Sequence, residues 1–116
     1  MPETPMTPVE VVEKQLTAFN SKDFNGFVAM FSEDVRVYDM PHAEPKLAGK
    51  EAFAAAYAKA LSNPTMRAEI LSRLVVGNKV VDHERVHGLR SEPYDVVAVY
   101  EVGQDLIQAM WFFKPE

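Results

Sequence analysis

The 116-residue chain is predicted to fold as one α+β domain, and three observations carry that expectation. Apolar residues recur at helical spacing through most of the first half of the chain. From Met66 onward the pattern changes to strand-like runs. Between two of those runs sits Gly77-Asn78, a pair suited to a two-residue hairpin turn. Three helices interrupted by one strand, followed by a mainly antiparallel meander, place the helices on one face of a sheet.

Met1 to Met6 hold two prolines and little to bury, so they read as a mobile tail ahead of a single domain over residues 7–116. Thr7-Pro8-Val9-Glu10 matches a capping box, which starts the first helix at Pro8 and runs it to about Asn20. Val9, Val12, Leu16 and Phe19 form its apolar face. A second, shorter helix is read from Phe24, Phe27, Val28 and Phe31, whose i, i+3, i+4, i+7 spacing shares one side. Val35 to Asp39 alternates and is stopped by Pro41, as a short strand entering a loop through Leu47. A third helix follows Gly49, turns Phe53, Ala56, Tyr57, Ala60 and Leu61 inward, and ends at Ser62-Asn63-Pro64. Strands are then predicted from Met66 to Val76, from Lys79 to about Gly88, and from Tyr94 to Val102. After Gly103-Gln104-Asp105 turns the chain, a last strand ends near Phe113.

Strict alternation on that last strand places Ile107, Ala109, Trp111 and Phe113 on one side and Leu106, Met110 and Phe112 on the other. A sheet apolar on both faces is covered twice, and the helices cover only one face. A homodimer through the outer sheet face is therefore expected.

The 17 acidic and 12 basic residues leave a net charge of -5, which repels phosphate backbones, so no nucleic-acid partner is expected. With no cysteine, disulfides, thiolate nucleophiles and cysteine-ligated zinc are excluded. No apolar run approaches the ~20 residues of a membrane helix. MPETPMTP also lacks the basic and apolar regions of a signal peptide. The expectation is a cytoplasmic protein with no membrane contact.

His83-Glu84-Arg85-Val86-His87 matches the H-E-x-x-H pattern of zinc proteases, in which two histidines one helical turn apart share a metal. Val80 and Val81 before it, the Gly77-Asn78 turn and the closing Gly88 make a strand context instead. On a strand the two histidines lie about 13 Å apart, too far to hold one ion. No metal is expected. Gly77, Gly88 and Gly103 are isolated turn glycines, so no phosphate-binding cluster and no cofactor are expected either. His42 falls in the loop after the first strand, either solvated or at a pocket mouth.

The order of elements, the phrase AFNSKDFNGFVAMFSEDVRVYDMP and the segment Ala48-Gly49-Lys50-Glu51-Ala52-Phe53 resemble the nuclear transport factor 2-like superfamily, in its branch of ketosteroid isomerase and SnoaL-like polyketide cyclases. The resemblance spans about Thr7 to Phe113. It implies a cone in which the helices and a curved sheet enclose a pocket for a small molecule. In ketosteroid isomerase the carboxylate ending the first strand is the general base, and that position is Asp39 here. The resemblance places Tyr57 at a pocket tyrosine and turns Asp82 and Glu84 inward with Val80 and Val86. It turns His83 and His87 outward. The family's two oxyanion donors fall on Gln15 and Ala98, so steroid isomerisation itself is not expected.

Three inward carboxylates, Asp39, Glu84 and Asp82, are the candidate catalytic groups. Burial in an apolar pocket is expected to raise the pKa of Asp39 toward that of a useful base. The plain alternative has Asp39 capping a loop and Asp82 or Glu84 pairing with an arginine at the rim. Gln15, Phe19, Phe31, Phe53, Tyr57, Tyr100 and Trp111 are the candidate substrate-binding wall, with core packing as the alternative for the aromatics. The leading functional expectation is a cofactor-independent isomerase, cyclase or dehydratase acting on a small apolar carbonyl compound. A non-catalytic ligand binder and a protein-interaction module of the same fold are the alternatives.

Overall fold

Thr7 opens the first helix through reciprocal bonds with Glu10: the Glu10 amide donates to the Thr7 hydroxyl at 3.2 Å, and the Thr7 amide donates to the Glu10 carboxylate at 2.9 Å. In the computed structural model, which describes residues 5–115, this capping box starts α1 (Pro8–Asn20). Such a cap contributes about 1 kcal/mol. Of the expected tail, residues 1–4 lie outside the described residues. Met6 is not free: its amide donates to Asp105 at 2.9 Å and its side chain packs on the core.

Asp23 caps α2 (Phe24–Val28) by accepting from the Gly26 amide. This helix is shorter than predicted, because Phe31 already belongs to β1 (Phe31–Asp39). The register explains the change. Ile107 donates its amide to the Met30 carbonyl at 2.8 Å, which draws Phe31 into the sheet while its ring still reaches the core sought by Phe27. The chain then forms β2 (Leu47–Ala48), α3 (Lys50–Leu61), β3 (Arg67–Val76), β4 (Lys79–His87), β5 (Tyr94–Gly103) and β6 (Leu106–Phe113).

The six strands lie in the order β2-β1-β6-β5-β4-β3, all antiparallel except the β1–β6 pair. Register shifts in β1, between Ile70 and Ser72, and between Glu101 and Val102 bend the sheet. Its core face carries Val80, Ala98, Tyr100 and Met110, packed with Val11, Val12 and Phe19 of α1 and Phe53 of α3. Phe27, Phe31 and Phe53 form an aromatic cluster with centroids 4.3 to 5.7 Å apart.

The last strand corrects the simple alternation. Glu101 pairs with Ala109 and Val102 with Ile107, so Gln108 is an extra residue that reverses the parity. Ile107 thereby joins Met110 in the core, while Trp111 turns to the outer face and stacks on Tyr38 at 5.6 Å. Gly88 ends β4 with φ +82°, where a Cβ would meet the Thr65 carbonyl oxygen at 2.1 Å. Only glycine fits that close approach.

Candidate functional site

The sheet's concave face and the helices enclose a cavity of about 270 Å³, lined mainly by apolar side chains such as Phe19, Val37, Met66, Val96, Met110 and Phe112. Its polar groups fall into two sets that differ in burial.

The enclosed set comprises Glu84, Tyr100 and Gln15, each with 5% or less of its surface exposed. Alternation on β4 gives buried Val80, Asp82, Glu84 and Val86, with Val81, His83, Arg85 and His87 turned outward. Glu84 pairs with Val96 across to β5, and the Tyr100 ring reaches past the intervening Ala98 to donate its hydroxyl to Glu84 at 2.8 Å. The small side chain at position 98, which offers no donor itself, leaves the passage for one. Gln15 donates in turn to the Tyr100 hydroxyl at 3.5 Å.

Burial pushes the Glu84 carboxyl up to about 7, with the Asp82 charge acting in the same sense and the Tyr100 bond and Arg73 opposing. Tyr57 of α3 lines the same cavity. Burial, with Glu84 and Asp39 nearby, raises its phenol above the usual range, so it is a neutral donor at ordinary pH.

The second set lies at the more open end. Asp39 ends β1, Lys114 follows β6, and the parallel pairing of these strands, with Asp39 opposite Phe112, brings them together. Lys46 is held beside β1 by its amide bond to the Val37 carbonyl at 2.7 Å. The ammonium groups of Lys46 and Lys114 stand 3.2 and 3.3 Å from the two Asp39 oxygens. Oδ1 of Asp39 is shielded from solvent and forms no well-directed hydrogen bond. Burial alone would raise the Asp39 pKa, but the Lys46 hydrogen bond and the two lysine charges together hold it below the ordinary carboxylate range. This reverses the expectation that Asp39 is the group tuned toward neutrality; that property belongs to Glu84.

Asp82 faces inward but does not line the cavity. It is fully buried and bound by Nε and Nη2 of Arg73 at 2.6 and 2.9 Å, and Arg73 also pairs with Glu13 of α1. This is the arginine-paired alternative, realised at Asp82 and not at Glu84. Phe31 and Phe53 are wholly buried behind the lining, and Trp111 is on the opposite face; none of the three touches the cavity. Gln15, Phe19, Tyr57 and Tyr100 do line it.

The H-E-x-x-H segment is in a strand, with His83 bonded to Asp95 and His87 to Glu69. Its histidines and Glu84 therefore occupy opposite faces of the sheet. Lys46 and Lys114 were missed from sequence. The one available signal was that Lys114 directly follows the last strand, which is not enough to place it without the β1–β6 pairing. Among the described residues no helix is long and apolar enough to cross a membrane.

A SnoaL-like domain matches residues 12–110 of this chain. No curated protein sequence matches it. A cystatin-fold protein from Novosphingobium aromaticivorans is similar over 92% of this chain and 97% of its own, at 28% identity and a TM-score of 0.80. An NTF2-like protein from Cytophaga hutchinsonii is 13% identical, with a TM-score of 0.81 over 98% of this chain and 95% of its own. An LEH-like epoxide hydrolase of M. tuberculosis is 17% identical, with a TM-score of 0.77 over 93% of this chain and 82% of its own. The last two likenesses concern the fold alone. With most of its length matched and its helices packed on a curved sheet as in the NTF2-like cone, the chain belongs to the SnoaL-like domain family.

Proposed function

We propose that the chain is a cofactor-independent acid–base catalyst that moves a proton on a small, largely apolar carbonyl compound, with Glu84 as the proton carrier. The observation that carries this reading is a nearly fully buried carboxylate in an apolar cavity with its pKa near 7. Such a group is present in both forms at neutral pH and is matched to general acid–base work. In this reading ionised Glu84 removes a proton α to the carbonyl, the Tyr57 hydroxyl donates a hydrogen bond to the developing enolate oxygen, and Glu84 returns the proton to another carbon. The product is an isomer, so no further reactant is consumed. Asp39, held ionised between two lysines, belongs to the mouth of the pocket and not to the proton transfer.

The test is deuterium exchange from D2O into a panel of small cyclic ketones and enones, followed by mass spectrometry. Glu84→Gln is expected to lower the rate by about 10²-fold or more, the range for loss of a general base. Asp39→Asn is expected to keep most of it. Loss of exchange in Asp39→Asn with full activity in Glu84→Gln returns the base to Asp39 and refutes the reading. One feature favours a binder instead: both lining carboxylates are already partnered, Glu84 by Tyr100 and Asp39 by the lysines. Tight binding of panel compounds with no exchange above the buffer rate decides for that alternative.

We further propose that a second copy of the chain covers the outer sheet face. Cross-strand pairing aligns Leu74, Val81, Val99, Trp111 and Tyr38 in one apolar row, and Val97 and Phe113 lie beside it, 36% and 45% exposed. Although the chain carries a charge of -5, the carboxylates of this face have partners: Glu101 pairs with Lys79 and Asp95 with Arg85, and Glu69 is hydrogen-bonded to His87. A face with so little net charge lets two acidic copies approach. Sedimentation is expected to find a dimer at micromolar concentration and a folded monomer for Val97→Glu; a monomeric parent protein overturns this assignment.

A further inference from the structure

We propose that the compound held in this cavity is a monoanion, with an apolar body against the sheet and a carboxylate at the mouth between Lys46 and Lys114. The inference rests on the reading of the cavity as a substrate site and names the class of substrate it takes. A cavity of about 270 Å³ lies close to the lower end of the range for small-molecule sites, so it suits a compact compound.

The polar groups divide that volume by charge. At the enclosed end Glu84 has its hydrogen bond from Tyr100, and the walls between are apolar. At the mouth two ammonium groups share a single carboxylate, Asp39, at 3.2 and 3.3 Å. All three line the cavity, which leaves, among the described residues, one more positive than negative charge at the mouth of a chain that is acidic as a whole. Lys46 and Lys114 remain 53% and 41% exposed, and Lys46, which pairs with the other Asp39 oxygen, is able to swing to an incoming anion without uncovering the shielded Oδ1.

An uncharged ketone gains nothing from this arrangement. A carboxylate bound there fixes which end of the apolar body goes in first. The carbonyl, several atoms further along, is thereby directed toward Tyr57 and Glu84. Asp39 then acts as an internal placeholder that keeps both lysines at the mouth while the site is empty.

The probe pair is 3-phenylpropanoate and 3-phenylpropan-1-ol, which share a body of the right size and differ in charge. Binding is measured by titration calorimetry at about pH 6, where Glu84 is largely neutral and the lysines are charged. The acid is expected to bind about tenfold more tightly than the alcohol, an advantage that falls with added salt. Lys46→Met with Lys114→Met removes the preference and leaves the alcohol's affinity in place. Asp39→Asn strengthens acid binding about threefold, because the lysines lose their internal partner.

Equal affinities, an unchanged preference in the double lysine variant, or no binding of the acid at millimolar concentration each overturn the proposal. Its outcome is separate from that of the proton-transfer reading. Binding is read without turnover, so an inactive Glu84 leaves the charge preference standing, and a missing preference leaves Glu84 chemistry untouched.

Discussion

Replacing Glu84 by glutamine is expected to stabilise the protein, and the gain grows with pH. An ordinary glutamate titrates at 4.5, whereas burial holds Glu84 at about 7 in the fold. A carboxyl whose folded pKa is raised costs nothing below the unfolded value, because it is protonated in both states. The penalty accumulates as pH rises from about 4.5 through 7 and levels off above, where the folded chain must hold the buried anion. The difference between the two values corresponds to about 3 kcal/mol. Glutamine is uncharged, nearly isosteric and still accepts from the Tyr100 hydroxyl, so it removes the penalty and keeps the bond.

Urea unfolding from about pH 5 to 9, with linear extrapolation to water, measures the difference between parent and variant. At the acidic end the two are expected to differ little. At the alkaline end Glu84→Gln is expected to be more stable by up to about 3 kcal/mol, a shift of several degrees in Tm. Other titrating groups are common to both proteins and cancel in the subtraction. A difference that stays flat across this range, or that favours the parent as pH rises, refutes the raised pKa and with it the acid–base reading of the cavity.

Tyr100→Phe removes the hydroxyl that donates to Glu84 and opposes the effect of burial. A hydrogen bond to a charged group contributes roughly 1.5–3 kcal/mol, so the Glu84 midpoint, followed by carboxyl NMR, is expected to rise by about 1–2 pH units; an unmoved midpoint contradicts the bond. Arg73→Met strands the fully buried Asp82 and is expected to cost about 3–5 kcal/mol in urea unfolding. Arg73→Met with Asp82→Asn is expected to recover much of that loss, and a double variant as unstable as the single one shows that the pair does not act as a unit.

Much of the fold was legible because local chemistry decided it. The capping box at Thr7 set the first residue of α1, and Gly77-Asn78 set the β3–β4 hairpin. The errors arose where a distant strand overruled a local pattern. Phe31 has the helical spacing of Phe24 and Phe27, yet pairing with Ile107 makes it a strand residue. One extra residue, Gln108, moved Trp111 from the expected pocket wall to the outer face, since strand side chains alternate and a single insertion exchanges the two sets.

The site was legible in part for the same reason. Tyr57 followed from helix spacing, whereas the inward placement of Glu84 and the pocket position of Gln15 came from the family resemblance. The Asp82–Arg73 pair needs the β3–β4 register, Lys46 needs the β1–β2 pairing, and Lys114 needs a parallel pairing between chain segments about 70 residues apart, which no local spacing announces.

The two carboxylates that line the cavity were driven apart by their surroundings, and that separation can be undone. Burial acts on both in the same direction, upward. At Glu84 the Tyr100 hydroxyl and the Arg73 charge oppose it and do not prevail; at Asp39 two ammonium groups oppose it and do. Replacing Lys46 and Lys114 together by methionine leaves burial at Asp39 without its main opponents, so its pKa is expected to pass from below the ordinary 3.8 to above it. The sign for stability follows. In the parent protein the depressed Asp39 favours the fold above its unfolded pKa and loses that contribution as the solution is acidified; in the double variant the contribution changes sign. Carboxyl-labelled NMR titration of the double variant measures the Asp39 midpoint directly. If it stays depressed with both lysines gone, another group is stabilising the carboxylate, and the division of the cavity into a cationic mouth and a proton-carrying interior fails.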